Sequence, residues 1–132
     1  MSLIGAIWGS FRRLPLWVEM WVALILVPVN MASLAFLGYP GATLLAALAV
    51  GGMLPNIAIM VAERGLSKAM ALPHLLIWTP LLAVIVWLLY TYPGFPPLFR
   101  NFLWLLLAVD GLSLVFDYPD ALKWKRGDRA VA

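Results

Sequence analysis

Four long apolar runs dominate the pattern of hydrophobic and polar positions along the chain. They cover about residues 16–37, 41–62, 71–90 and 99–116. At ~1.5 Å per residue, a helix of about 20 residues crosses the ~30 Å hydrocarbon core of a bilayer. The runs are continuous and lipid requires internally satisfied backbone hydrogen bonds, so helices are favoured over a barrel. The pattern predicts an all-α integral membrane protein, a single domain over 1–132 with four transmembrane helices in two helical hairpins.

A shorter apolar pattern precedes the first run. Its apolar residues recur near helical spacing: Leu3, Ile4, Ile7, Trp8, Phe11 and Leu14. Such a segment beside a transmembrane helix is typical of an amphipathic helix that lies in the membrane surface. We therefore predict a short N-terminal interfacial helix ahead of the first transmembrane helix.

The connections after the runs carry turn residues. Tyr-Pro-Gly stands at 39–41 and again at 92–94, and each triplet predicts a tight turn. The repetition is open to two interpretations, duplication of a helical hairpin or chance recurrence of turn residues. We prefer chance, because the rest of the two halves matches poorly. After the fourth run, Tyr-Pro-Asp at 118–120 indicates a turn or the start of a further helix.

Composition supports the membrane assignment and narrows the chemistry. Apolar residues make up 64% of the chain and charged residues only 11%, too few charges for the exterior of a water-soluble fold. Seven tryptophans and four tyrosines suit a protein with two membrane interfaces. The absence of cysteine excludes disulfides and thiolate metal sites, and a single histidine excludes a bis-histidine haem within one chain. We expect the lipid bilayer as a partner, and no cofactor, metal or nucleic acid.

The distribution of positive charge predicts the orientation. Eight of the nine Lys and Arg residues fall in three regions, the N-terminal segment, the middle connection and the tail: Arg12, Arg13, Arg64, Lys68, Lys123, Lys125, Arg126 and Arg129. Only Arg100 lies near the other two connections. Four membrane crossings place the three cationic regions on one side, and cationic loops stay in the cytoplasm. We predict a protein of the cell membrane with both termini cytoplasmic.

Polar side chains inside the apolar runs are the candidate functional residues, because hydrocarbon makes them costly to insert. The candidates are Glu19, Asn30, Asn56, His74, Thr79, Asn101, Asp110 and Ser113. Asp110 stands in an otherwise apolar stretch, where a carboxylate costs roughly 2.5–3.5 kcal/mol, so we expect it to face protein and to be open to protonation. Helical rise places Glu19, Asn56, His74 and Asp110 about 4–11 Å from the cytoplasmic ends of their helices. This spacing predicts one intramembrane polar layer to which each helix contributes one group.

Three interpretations of the polar layer remain open. In the first, which we favour, the groups hydrogen-bond across helices and hold the bundle in register. In the second, they relay protons or cations, with Asp110 and Glu19 titrating and His74 switching near neutral pH. The third is a metal site of carboxylates and one histidine, which no ligand spacing supports.

The second run contains a predicted helix break at Gly51, Gly52 and Pro55. Pro55 has no N–H, so the carbonyl of Gly51 loses its helical donor. The break is either an ordinary kink packed against a neighbour, which we prefer, or a site where free carbonyls meet an ion or solute. Small residues four apart also favour close helix approach, at the centre of the bundle or at a subunit contact: Ala42 and Ala46, Ala47 and Gly51, and Ala58 and Ala62. The aromatic and leucine-rich fourth run is expected to face lipid except near Asp110 and Gly111.

Two functional classes follow from these features. No phosphate-binding loop or nucleophile motif is present in the sequence, and we do not expect an enzyme. The favoured hypothesis is a non-catalytic accessory or interaction subunit, which contacts a larger membrane protein or its own copies through the second helix. The alternative is a small oligomeric transporter or channel subunit with a proton- or cation-linked polar layer around Asp110.

Overall fold

The computed structural model describes residues 2–132, so Met1 of the predicted domain lies outside the described part. Regular structure there is helical, apart from one isolated antiparallel bridge between Ser67 and Val131. Four stretches are long and apolar enough to cross a membrane. We call them the first to fourth spans: Leu16–Phe36, Ala42–Glu63, Lys68–Thr91 and Pro97–Lys125. The prediction of an all-helical chain with four helical stretches long and apolar enough to cross a membrane is confirmed, and these stretches suggest a multi-pass membrane protein.

The helices within and before the spans have these bounds: α1 Leu3–Arg12, α2 Leu16–Met20, α3 Val27–Ala32, α4 Ala42–Gly51, α5 Leu54–Glu63, α6 Ala71–Thr91 and α7 Pro97–Lys125. Between α2 and α3 the first span winds as a π-helix over Trp21–Leu26. Pro28, which lacks an N–H, stands two residues after this segment, and the wider turn lets the N–H of Val27 donate to the Val22 carbonyl. A 3₁₀ turn, Ser33–Phe36, completes this span.

The second span is interrupted where Gly51, Gly52 and Pro55 stand, between the end of α4 and the start of α5. The Met53 N–H donates to the Val50 carbonyl at 3.0 Å, a tighter turn than the helical pattern. The Ala49 carbonyl, which Met53 would otherwise bond, accepts the indole N–H of Trp78 at 3.1 Å. The interruption is therefore packed against the third span, as in an ordinary kink.

The fourth span is the most buried of the four. Of its apolar stretch 44% is buried, against 28% for the second span. Its inner face packs against the third span through fully buried side chains: Phe99, Leu103 and Leu106 with Leu81, Ile85 and Leu88. The expectation that this run faces lipid was wrong for Phe102, Leu103 and Leu106, which are buried, whereas Trp104 and Leu105 are exposed. Leucine and phenylalanine suit a protein core and a lipid surface equally well, so hydropathy could not separate the two faces.

The fourth span also continues beyond its predicted end. Helix α7 passes through Pro119 and ends at Lys125, so the turn expected at 118–120 is absent. Proline removes a single helical hydrogen bond, and neighbouring contacts offset that loss. Ala121, in the turn after Pro119, is buried, which shows that packing supports this extension.

The N-terminal segment, the middle connection and the C-terminal tail meet at one end of the bundle. The Leu66 N–H donates to the Ser10 hydroxyl at 2.9 Å. Lys68 lies 3.3 Å from Asp128, and Ser67 also donates to Glu63. We call this region the charged end. Its contacts agree with the prediction that the three cationic regions lie on the same side of the membrane. Helix α1 exists over Leu3–Arg12, while its place in the membrane surface stays a prediction.

Candidate functional site

The four residues of the predicted polar layer are all buried, but they fall into three separate sets of contacts. Glu19 contacts Arg12 at 3.3 Å. Asn56 contacts His74 at 2.9 Å, and Asp110 accepts from Asn30 at 2.7 Å. The remaining candidates Thr79 and Asn101 are exposed. The single layer predicted from the sequence therefore resolves into separate pairs of contacts.

The largest set, which we call the His74 cluster, consists of Asn56, His74, Ser113 and Asp117. The Asn56 amide nitrogen faces Nε2 of His74 at 2.9 Å, and Nδ1 of His74 lies 3.0 Å from Oδ2 of Asp117. With the amide nitrogen of Asn56 as the donor, Nε2 accepts, and in this arrangement a neutral ring carries its proton on Nδ1, which faces Asp117. The Ser113 hydroxyl donates to the same carboxylate oxygen at 3.3 Å. The cluster thus joins the second, third and fourth spans.

Local helix geometry and one aromatic ring position the His74 cluster. Ser113 and Asp117 are four residues apart on α7 and share its inner face. Trp78, one turn after His74 on α6, stacks on the imidazole with 4.1 Å between ring centroids and 5° between planes. Trp78 is fully buried and bonded to Ala49, so it holds the imidazole ring in a fixed plane.

The Asn30–Asp110 pair joins the first span to the fourth. Both side chains are fully buried. The Asn30 amide nitrogen donates to Oδ1 of Asp110 at 2.7 Å and to the Leu26 carbonyl at 2.9 Å. The prediction that Asp110 faces protein is confirmed by this burial and this contact. Asn30 was a candidate in the sequence, yet its partner could not be identified there.

The depth of Asp110 differs from the sequence estimate. Because α7 ends at Lys125 and not near 116, Asp110 lies about 20 Å from either end of this helix. Asp117 is seven residues closer to the charged end, a difference of about 10 Å along the helix axis. Asp117, which was not a candidate, therefore takes the place assigned to Asp110 beside Asn56 and His74. The spacing of Asp110, Ser113 and Asp117 on one helical face was the available signal.

Glu19 has a different setting from the other buried polar residues. Its carboxylate contacts Arg12 of α1, whose side chain is 57% exposed. The pair ties α1 to the start of the first span, and Glu19 makes no hydrogen bond to Asn56, His74 or Asp110. A role for Glu19 in positioning α1 agrees better with these contacts than a role in a relay.

The chemistry open to these sets follows from their donors and acceptors. Ser113 donates to Asp117 and not to His74, so the cluster lacks the nucleophile–base contact of a hydrolase. Within residues 2–132, no three His, Asp or Glu side chains are placed to hold a metal ion together. What the contacts do form is a series of bonds between spans: first to fourth, fourth to third, and third to second. Comparison of the chain with protein-family models, curated proteins and solved structures found no match.

Proposed function

We propose that this protein is a non-catalytic accessory or interaction subunit of a membrane assembly, located in the cell membrane with both termini in the cytoplasm. The observation that carries this proposal is the series of polar contacts between spans. Each contact links a buried polar side chain of one span to a polar side chain of another, through Asn30–Asp110, His74–Asp117 and Asn56–His74. Such bonds hold helices in register and give a bundle a fixed outer surface.

The second half of the second span supplies the surface for a partner. Of the ten residues of α5 only Asn56 is buried. Ala58 and Ala62 are exposed and four residues apart, so they lie on one face. Small residues at this spacing allow a second transmembrane helix to approach closely. This geometry supports contact with a helix of another membrane protein or of a second copy.

The orientation within the proposal rests on charge. The cationic regions meet at the charged end through contacts such as Lys68–Asp128, and eight of the nine Lys and Arg residues belong to those regions. Positively charged segments are retained on the cytoplasmic side during insertion. We therefore place the charged end in the cytoplasm.

Photo-cross-linking in native membranes tests the interaction proposal. A benzophenone amino acid replaces Ala58, and the control replaces Leu76, which is 76% exposed on the third span. We expect a discrete adduct from position 58, with its second component identified by mass spectrometry as one membrane protein or this chain itself. Position 76 should yield only lipid adducts. Lipid adducts alone from both positions would contradict the proposal.

A transporter or channel subunit is the second candidate, and one observation favours it. The His74 cluster places a titratable imidazole and a carboxylate together beside the interruption of the second span. Reconstitution into liposomes with an internal pH-sensitive dye tests this alternative. A proton flux in the wild type that His74→Ala abolishes, while Leu76→Ala retains it, would establish transport and displace the accessory role.

A further inference from the structure

The Asn30–Asp110 pair has fewer hydrogen-bond donors than acceptors, which indicates a bound proton. The Asn30 amide group has two hydrogens, and both are used, one by the Leu26 carbonyl and one by Oδ1 of Asp110. The other oxygen of each side chain, Oδ1 of Asn30 and Oδ2 of Asp110, is buried without a hydrogen-bond partner. The fully buried pair therefore presents two unsatisfied acceptors about 20 Å from either end of α7.

Unsatisfied acceptors are unfavourable in a fully buried setting, because an apolar interior costs a polar group its hydration and offers few donors in return. An ionised carboxylate has only acceptor sites, whereas a carboxylic acid has one O–H donor. Protonation of Asp110 therefore removes the buried charge and supplies a donor that the pair lacks. The unpartnered oxygen of Asn30 is an acceptor of the kind that this O–H requires.

Neighbouring charges offer no other means of balancing an ionised Asp110. The charged residues of the helices packed against the fourth span already have partners. In the third span, Lys68 pairs with Asp128 and His74 contacts Asp117. In the first span, Glu19 pairs with Arg12. On α7 itself Asp117 is acidic, and Arg100, about 15 Å from Asp110 along the helix, donates to the Pro93 carbonyl. A hard divalent cation would require about six oxygen ligands, far more than two free oxygens. A proton fits the site better than a metal ion.

We infer that Asp110 is a proton-binding site: in the folded protein it holds one proton from water, and the resulting neutral carboxylic acid pairs with the Asn30 amide to join the first and fourth spans. The bond formed is O–H on Asp110, with no change of oxidation state. This site is independent of the accessory role, since it concerns the folded chain alone.

Infrared spectroscopy of the purified protein in lipid nanodiscs tests this inference, with aspartate carboxyl carbons isotopically labelled to separate their bands. At neutral pH we expect a carboxylic acid C=O band in the wild type that is lost in Asp110→Asn. Asp128→Asn, which alters an exposed carboxylate, should leave the band unchanged. The absence of an acid band in the wild type, or its persistence in folded Asp110→Asn, would overturn the assignment.

The milder variant Asn30→Ser keeps the test decisive if Asp110→Asn does not fold. It removes the amide hydrogen bond and retains Asp110, so the acid band should shift in frequency. A band that is unaffected by Asn30→Ser would belong to another residue, and the inference would then be wrong.

Discussion

Trp78 shows how one side chain connects the interrupted helix to the His74 cluster. Its indole N–H bonds the Ala49 carbonyl at 3.1 Å, and its ring stacks on His74. The space for the ring exists because residue 52 is a glycine. A Cβ at Gly52 would lie 2.2 Å from Nε1 of Trp78. The missing side chain at Gly52 is thus needed for close approach of the second and third spans.

Gly52→Ala is therefore expected to destabilise the protein, because the added methyl collides with a fully buried indole. We expect a loss of about 1–3 kcal/mol in the free energy of unfolding, typical of an overpacked core. The matched control is Gly51→Ala, whose Cβ would have no heavy atom within 4 Å apart from its own stretch of the chain. Unfolding of both variants in mild detergent, followed by circular dichroism, measures the difference. Equal stability of the two variants would show that the contact is unimportant.

At the scale of elements, the two Tyr-Pro-Gly turns differ in structure. Gly41 has a φ of +75° and its α-hydrogens face Leu88, whereas Gly94 has no positive φ and open space around it. Tyr39 of the first turn stacks on Phe99 of the fourth span, with 4.5 Å between ring centroids. The two turns occupy unlike environments, which favours chance recurrence over duplication of a hairpin.

This difference predicts unequal effects of the same substitution in the two turns. Gly41→Ala places a Cβ in the left-handed region and 2.6 Å from Cδ2 of Leu88, so a loss of roughly 1–2 kcal/mol is expected. Gly94→Ala is expected to change stability by less than about 0.5 kcal/mol, like most surface substitutions. Thermal unfolding in the same detergent compares them. A larger loss of stability in Gly94→Ala than in Gly41→Ala would contradict this prediction.

At the scale of the whole molecule, the bundle has two unlike ends. The charged end collects the N-terminal segment, the middle connection and the tail, with contacts such as Leu66–Ser10 and Lys68–Asp128. The opposite end carries an aromatic group in which Phe36 stacks on Phe102 and Tyr39 on Phe99. Of these two features, the concentration of Lys and Arg at one end is the one that sets orientation during membrane insertion.

The proposed orientation can be tested by thiol labelling, because the chain has no cysteine of its own that would react. Single-cysteine variants Gly94→Cys and Ala130→Cys place a thiol at exposed positions on opposite ends. On intact cells, a membrane-impermeant maleimide should label Gly94→Cys at once and Ala130→Cys only after permeabilisation. The cysteine-free wild type is the blank for both reactions. Reversed labelling would place the charged end outside the cell.

The existence and order of the spans were predictable from the sequence, because hydropathy reports the free energy of moving a segment out of water. The common location of the three cationic regions followed from span number and charge. Burial of Asp110 could also be predicted, since an exposed carboxylate in lipid is costly. These conclusions depend only on the chain and on its solvent.

Which polar groups meet was decided by the tertiary structure. Pairing of Asn30 with Asp110, and of His74 with Asp117, depends on the rotation of each helix and on the length of α7 beyond Pro119. Likewise the fourth span became the most buried one, although its sequence is equally suited to lipid. Lipid and protein interior are alike in polarity, so hydropathy cannot distinguish them, and only side-chain packing between helices determines which face turns inward.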